Sequence, residues 1–216
     1  MDGIFSGETL PLLLLVALGG YLFGGVNGAI LTSGLFYHDD VRTHGSGNAG
    51  LTNYYRNYGA KWITLVILID MGKAALSVAL GALFFPNPFG RYFGALFCLL
   101  GHMFPVYYRF KGGKGVLCSG MILLLLDWRM ALVCWGTFLL FAVTTRYVSL
   151  GSVCGSAMFP VMTCFVYRGE TAVFALSVLM AGLVIWAHRE NIGRLLRGTE
   201  NKFALKKSEP ERREKQ

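Results

Sequence analysis

The sequence predicts an all-α polytopic membrane protein of about seven transmembrane helices, with the N-terminus outside and the C-terminus cytoplasmic. Three observations carry this. Of the 216 residues, 54% are hydrophobic and only 15% are Asp, Glu, Lys or Arg, too few charges to cover a soluble surface. The charges gather at segment ends and near the C-terminus, leaving stretches of roughly 15 to 25 residues nearly uncharged, as membrane-spanning helices require. The basic residues also favour one side of the implied membrane. These features exclude a secreted disulfide scaffold, a collagen-like chain and a disordered chain. The net charge of +8 has no separate basic domain to reside in, so no nucleic-acid partner is expected.

Seven apolar segments lie near residues 10–34, 61–84, 90–109, 114–126, 129–145, 148–166 and 171–188. The first follows Asp2 and Glu8 with no Lys or Arg before it, so a retained helix is expected rather than a cleaved leader. The second carries Asp70 and Lys73 one turn apart. Each such charge costs ~2.5 to 3.5 kcal/mol at a helix centre, so both should face the bundle interior, either as a structural pair or as substrate contacts. The third contains His102, read as a packed neutral histidine just before Pro105. The fourth provides only ~20 Å of helix against a hydrocarbon core of ~30 Å, and needs local thinning, help from flanking residues or a re-entrant path. Trp62, Trp128 and Trp186 fit interfacial anchors. Residues 1–200 read as a single transmembrane domain and residues 201–216 as a basic, partly disordered cytoplasmic tail.

With the N-terminus outside, the inner segments collect Arg42, Arg56, Lys61, Arg109, Lys111, Lys114, Arg146, Arg189, Arg194 and Arg197. The outer turns hold only Arg91, Arg129 and Arg168. The outer turns are short, whereas the segment from Leu35 to Ala60 is long, polar and rich in Gly and Asn. Chemistry is therefore expected on the cytoplasmic side.

Two constellations there suit phosphate, and a third reads either as a ligand contact or as a polar helix terminus. D-V-R-T-H-G-S-G-N-A-G-L-T-N-Y-Y-R (residues 40–56) combines Gly45, Gly47 and Gly50 with the polar side chains of Ser46, Asn48, Thr52 and Asn53 between Arg42 and Arg56. Such a loop can turn its backbone N–H groups toward an anion. G-H-M-F-P-V-Y-Y-R-F-K-G-G-K-G (residues 101–115) places Arg109, Lys111 and Lys114 around a double glycine. Gly115 stands where a Walker loop needs Ser or Thr, which argues against nucleotide hydrolysis. A-H-R-E-N-I-G-R-L-L-R-G-T-E (residues 187–200) sets His188 and Asn191 on one face of a continuing helix. The five cysteines stand singly with no histidine at ligand spacing, so neither metal nor other cofactor is expected. A transporter of an organic phosphate would use similar cations and midplane charges, but no internal repeat is visible.

In this order, G-S-G-N-A-G-L-T-N-Y-Y-R, G-H-M-F-P-V with F-K-G-G-K-G, R-Y-V-S-L-G-S and H-R-E-N-I-G-R-L-L-R-G-T-E resemble the membrane-integral acyl-phosphate:glycerol-3-phosphate acyltransferases of bacteria, the PlsY family, over nearly the whole chain. The resemblance implies a multi-pass protein of the bacterial inner membrane with its active site on the cytoplasmic side. It implies glycerol 3-phosphate, acyl phosphate and membrane lipids as partners, and no obligate protein partner is evident. Carried over by position, it implies catalytic roles for Ser46, Arg56, Lys114, His188 and Asn191. Arg42, Asn48, Lys111, Ser149 and Ser152 become expected substrate-binding residues. One departure is visible: the family often reads G-S-I-P-F-G where this chain has G-G-V-N-G-A at residues 24–29. No H-x-x-x-x-D occurs, the His/Asp pair of many acyl-CoA-dependent glycerol phosphate acyltransferases.

Overall fold

The computed structural model describes residues 9–203. Asp2, Glu8 and all but three residues of the expected 201–216 tail therefore lie outside the described residues. The described residues form ten α-helices and no strand: α1 (Leu10–Gly25), α2 (Gly28–Tyr37), α3 (Leu51–Tyr58), α4 (Ile63–Phe84), α5 (Pro88–Met103), α6 (Val116–Leu126), α7 (Trp128–Thr145), α8 (Val148–Val166), α9 (Thr171–Ala187) and α10 (Arg189–Leu196).

Every expected apolar segment is helical, but four boundaries differ. The first segment breaks at Val26 and Asn27, both extended, and continues as α2 to Tyr37. The third stops at Met103 rather than 109, because Pro105 disfavours helical geometry at Phe104 and has no N–H to continue the ladder. Eight residues of the expected polar loop form α3, whose first turn follows Gly50. The last segment does not run on through His188: α10 turns 57° away from α9 there, where the sequence changes from apolar to R-E-N.

Four helical stretches are long and apolar enough to cross a bilayer: Leu10–Tyr37, Ile63–Phe84, Trp128–Thr145 and Val148–Val166. The bent pair of α9 and α10 makes a fifth. With 16 and 11 residues, α5 and α6 are shorter, about 24 Å and about 17 Å at the helical rise. The architecture is that of a multi-pass helical membrane protein.

Without a hydrophobic force between helices in lipid, close packing has to hold the bundle, and small residues permit it. A Cβ on Gly24 would sit 2.2 Å from the carbonyl oxygen of Cys98, and one on Gly94 2.2 Å from that of Ser77. These contacts bring α1 and α4 directly onto the α5 backbone.

Asp70 and Lys73, both buried, pair at 2.9 Å. They also complete the break in the first span. Asp70 Oδ1 accepts from the N–H of Gly28 at 3.0 Å, and the Lys73 ammonium donates to the carbonyl of Val26 and to Nδ1 of His102. Asp70, His102 and Cys118 offer ligand atoms within 4.8 Å of one another, but the ammonium of Lys73 is the cation that this cluster holds. Asn27 fixes the next turn: its Oδ1 caps α2 by accepting from Ile30 N–H, and its Nδ2 donates to the carbonyl of Ala49, each at 3.0 Å. This chain thus breaks its first span with a capping asparagine.

Replacing Asp70 with Asn leaves the Lys73 charge buried without its counter-ion. The expected cost is about 3 to 5 kcal/mol, read as a fall in the unfolding midpoint of detergent-purified protein. Leu83→Ala, on a side chain 74% exposed, should shift the midpoint little.

Candidate active site

The two sequence neighbourhoods read as phosphate loops and the end of α9 converge on one cavity of about 560 Å³. At one end its wall is polar: Ser46, Asn48, Asn53, Arg56, Lys114, Ser149, Ser152, His188, Asn191, Arg194, Glu200 and Asn201. The other end is apolar, reaching Leu123 of α6, Cys134 of α7, Phe159 of α8 and Met180 of α9. Ser149 and Phe159 lie ten residues apart on α8, so the wall runs about 15 Å along that helix. At that end the Phe159 ring stacks on Tyr92, with ring centroids 5.7 Å apart.

The glycine-rich loop is organised by one side chain. Asn53, at the start of α3, donates through Nδ2 to the carbonyls of Val41 and His44 and accepts through Oδ1 from Ser46 N–H, all at 3.0 Å. Gly45 takes φ +58 there, and a Cβ on it would lie 2.4 Å from Asn53 Oδ1. The double glycine serves packing rather than anion capture. The N–H groups of Gly112 and Gly113 are engaged by the carbonyls of Met103 and His102, each at 3.1 Å. A Cβ on Gly113 would sit 2.3 Å from His102 Nε2. This tight turn delivers Lys114 to the cavity.

Lys114 donates to Asn191 Oδ1. Burial, and then the nearby charge of Arg194, hold its pKa below the ordinary lysine value. An ammonium so placed gains from an incoming anion. Asn191 Nδ2 donates to Glu200 Oε1 at 2.6 Å, the Ser149 hydroxyl donates to the same oxygen at 2.7 Å, and Arg194 Nε donates to Oε2 at 2.7 Å. Burial raises the Glu200 pKa, but the bonds from Asn191, Ser149 and Arg194 outweigh it and bring the pKa below 4.5. His188 Nδ1 lies 2.8 Å from the carbonyl of Val184. A carbonyl only accepts, so Nδ1 carries a proton, and in the neutral imidazole Nε2 keeps its lone pair.

Of the residues nominated from the sequence, Ser46, Asn48, Arg56, Lys114, Ser149, Ser152, His188 and Asn191 line the cavity. Arg42 and Lys111 do not. Arg42 is paired with Asp40 at 2.7 Å and donates to the carbonyls of Tyr108 and Lys111, bracing one loop against the other. Lys111 contributes that carbonyl, and its side chain is exposed. Glu200, Arg194 and Asn201 were not among the nominated residues. A carboxylate gives no reason to be placed in an anion site, and Asn201 fell in the expected tail. The one available signal was the G-T-E that closes the third motif.

A family model described as glycerol-3-phosphate acyltransferase matches residues 14–198. The chain belongs to this family. A glycerol-3-phosphate acyltransferase of Synechococcus sp. (strain CC9902) is 39% identical, with 91% of this chain and 98% of the relative covered. One from Finegoldia magna is 36% identical over 88% of this chain and 96% of its own. Among solved structures, the glycerol 3-phosphate form of PlsY (YgiH), an integral membrane glycerol 3-phosphate acyltransferase, superposes with a TM-score of 0.82 at 32% identity. It covers 89% of this chain and 96% of that one. The lysophosphatidic acid form of the same protein gives 0.79 at 30%. Family membership thus decides against the transporter reading, and the motifs that carried the resemblance surround a single cavity.

Glu200 also sets a pH dependence in this acyltransferase. Its folded pKa is depressed, so the stability it contributes is complete above the ordinary glutamate value and is lost as pH falls through the lower folded value. Thermal unfolding followed from about pH 6 down to about pH 3 should show an acid-side loss that is smaller in Glu200→Gln, which has no proton to gain.

Proposed function

We propose that the chain transfers a fatty acyl group from acyl phosphate to the 1-hydroxyl of glycerol 3-phosphate, giving 1-acylglycerol 3-phosphate and phosphate. This is the first acylation step of bacterial phospholipid synthesis. The observation that carries the reading is the shape of one cavity, with cations and neutral donors at one end and an apolar well at the other. An acyl group activated as a phosphate needs both ends at once. The solved relatives are named for forms with glycerol 3-phosphate and lysophosphatidic acid, the acceptor and product of this reaction.

Two phosphate-bearing reactants repel each other, and Arg56 and Lys114 offset that repulsion while Ser46, Asn48, Ser149, Ser152 and Asn191 orient them. The glycerol oxygen attacks the acyl carbonyl directly. A new C–O ester bond forms, and the acyl C–O bond to phosphate breaks with its electron pair leaving on phosphate. The hydroxyl proton passes to Nε2 of His188 or to an oxygen of the departing phosphate. Acyl phosphate is an activated mixed anhydride, so charge stabilisation and orientation supply most of the acceleration. In this reading the bundle crosses the bacterial inner membrane seven times, with the N-terminus outside and the cavity opening to the cytoplasm.

Purified protein given labelled glycerol 3-phosphate should form product with acyl phosphate and not with acyl-CoA or acyl carrier protein. Product from either thioester alone would overturn the assignment of the donor. Arg56→Ala and Lys114→Ala should each lower turnover by about 10² to 10³, the effect of losing one contact that strengthens at the transition state. Arg56→Lys should already be severe, because a single ammonium cannot reproduce a bidentate guanidinium grip. Wild-type transfer by properly inserted Ala variants would remove both residues from the site. On a cysteine-depleted background, a cysteine at Asn87 should be labelled from outside and one at Ser46 only from inside. Labelling of position 46 from outside would reverse the proposed topology.

A further inference from the structure

Beside the main cavity lies a second, outer one of about 340 Å³, bounded by Gly45, Ser46, Asn53, Arg56, Asn201 and Lys202. It shares Ser46, Asn53, Arg56 and Asn201 with the main cavity, so the two spaces adjoin through a common wall. Their charge differs. The main cavity has Arg56, Lys114 and Arg194, but it also has the carboxylates of Asp70 and Glu200 in its wall. The outer cavity has Arg56 and Lys202 and no carboxylate. Among the described residues neither cation has a carboxylate within ion-pair reach, whereas Arg42, Lys73 and Arg194 each have one. Two cations without a carboxylate partner therefore border this outer space.

Lys202 is held there by the chain on both sides. Glu200 is tied to Ser149, Asn191 and Arg194. The N–H of Phe203 donates to the carbonyl of Arg146 at 2.8 Å, and the Phe203 ring lies 6.4 Å from that of Tyr55. The Lys202 ammonium stands 5.8 Å from the centre of the Tyr147 ring. Residues 199–203 thus form a strap running from α10 to α3 and to the junction of α7 and α8. Two unpaired cations with a serine hydroxyl and an asparagine amide around a small polar space make a receptor for a tetrahedral oxyanion.

We propose that Lys202 is a substrate-binding residue, which with Arg56 holds a phosphoryl group in this outer cavity during acyl transfer. The inference rests on the acyltransferase reading above. The phosphoryl group belongs to glycerol 3-phosphate or to the acyl donor, and kinetics separate the two. Lys202→Met, Lys202→Arg and Lys61→Met are compared by titrating each substrate at saturating levels of the other. Lys61 is an exposed lysine outside both cavities, so it controls for removal of one positive charge.

Lys202→Met is expected to raise the KM of one phosphate substrate roughly ten- to hundredfold, the size of one lost charge-assisted contact, with kcat held within about threefold. The substrate affected names the phosphoryl group. Lys202→Arg should stay within about threefold of wild type, since it keeps the charge. Calorimetric binding of inorganic phosphate to the same proteins reads the subsite without turnover, and should weaken at least about tenfold in Lys202→Met alone. Kinetics of Lys202→Met that match Lys61→Met would overturn the proposal. So would a fall in kcat with both KM values and phosphate binding unchanged, which marks a strap that only shapes the site. Absence of transfer by the wild type from every donor would instead sink the acyltransferase reading, leaving the phosphate titration to judge Lys202.

Discussion

The pair of Asp70 and Lys73 is the constraint on which the rest of the site depends. A helix broken inside a bilayer leaves carbonyl and N–H groups that neither water nor helix can satisfy. Here the carboxylate takes the N–H that opens α2, and the ammonium takes a carbonyl that closes α1. Each charge meets the helix end of opposite polarity, so the two terminal dipoles stabilise the ions that satisfy them. With the break held, Asn27 reaches the carbonyl of Ala49 and anchors the glycine-rich loop. That loop leads into α3, and α3 carries Arg56 to the cavity.

Much of this was legible because the membrane leaves a chain few options. Seven apolar segments became helices, and the motifs that suggested phosphate do gather around one space. The misread features share a physical cause, which is that they depend on partners distant in sequence. The break at Val26 and Asn27 lies in an apolar run with no proline near the break, and only α4, whose Asp70 and Lys73 lie 42 and 47 residues from their partners Gly28 and Val26, makes it tolerable. α3 has no apolar run of its own and is set by the bonds of Asn53 to Val41 and His44 and by packing of Tyr54 and Tyr58 against Tyr37. The double glycine read as a source of free donors, yet its donors are engaged and its smallness is needed against His102. Arg42 read as a ligand-binding cation because charge shows in a sequence, whereas the carbonyls of Tyr108 and Lys111 that it braces, 66 and 69 residues on, do not.

The polar end of the cavity is built mainly from side chains that already bond one another. Lys114, Asn191, Glu200, Ser149 and Arg194 form one connected set reaching from the start of α6 to the strap after α10. Such a network loses little conformational freedom when a ligand arrives, which is the physical content of preorganisation. The carboxylate at its centre aligns donors and tempers a positive charge that would otherwise repel itself.

The position of Glu200 in the chain gives this design a direction in time. A polypeptide is made from its N-terminus, so every spanning helix is synthesised before the strap that closes the cavity. The bundle can enter the membrane while the ribosome still holds the residues that join α10 to α8. Insertion and chemical competence are then separate events, and a chain released before residue 200 would be an embedded bundle lacking the carboxylate that aligns its donors.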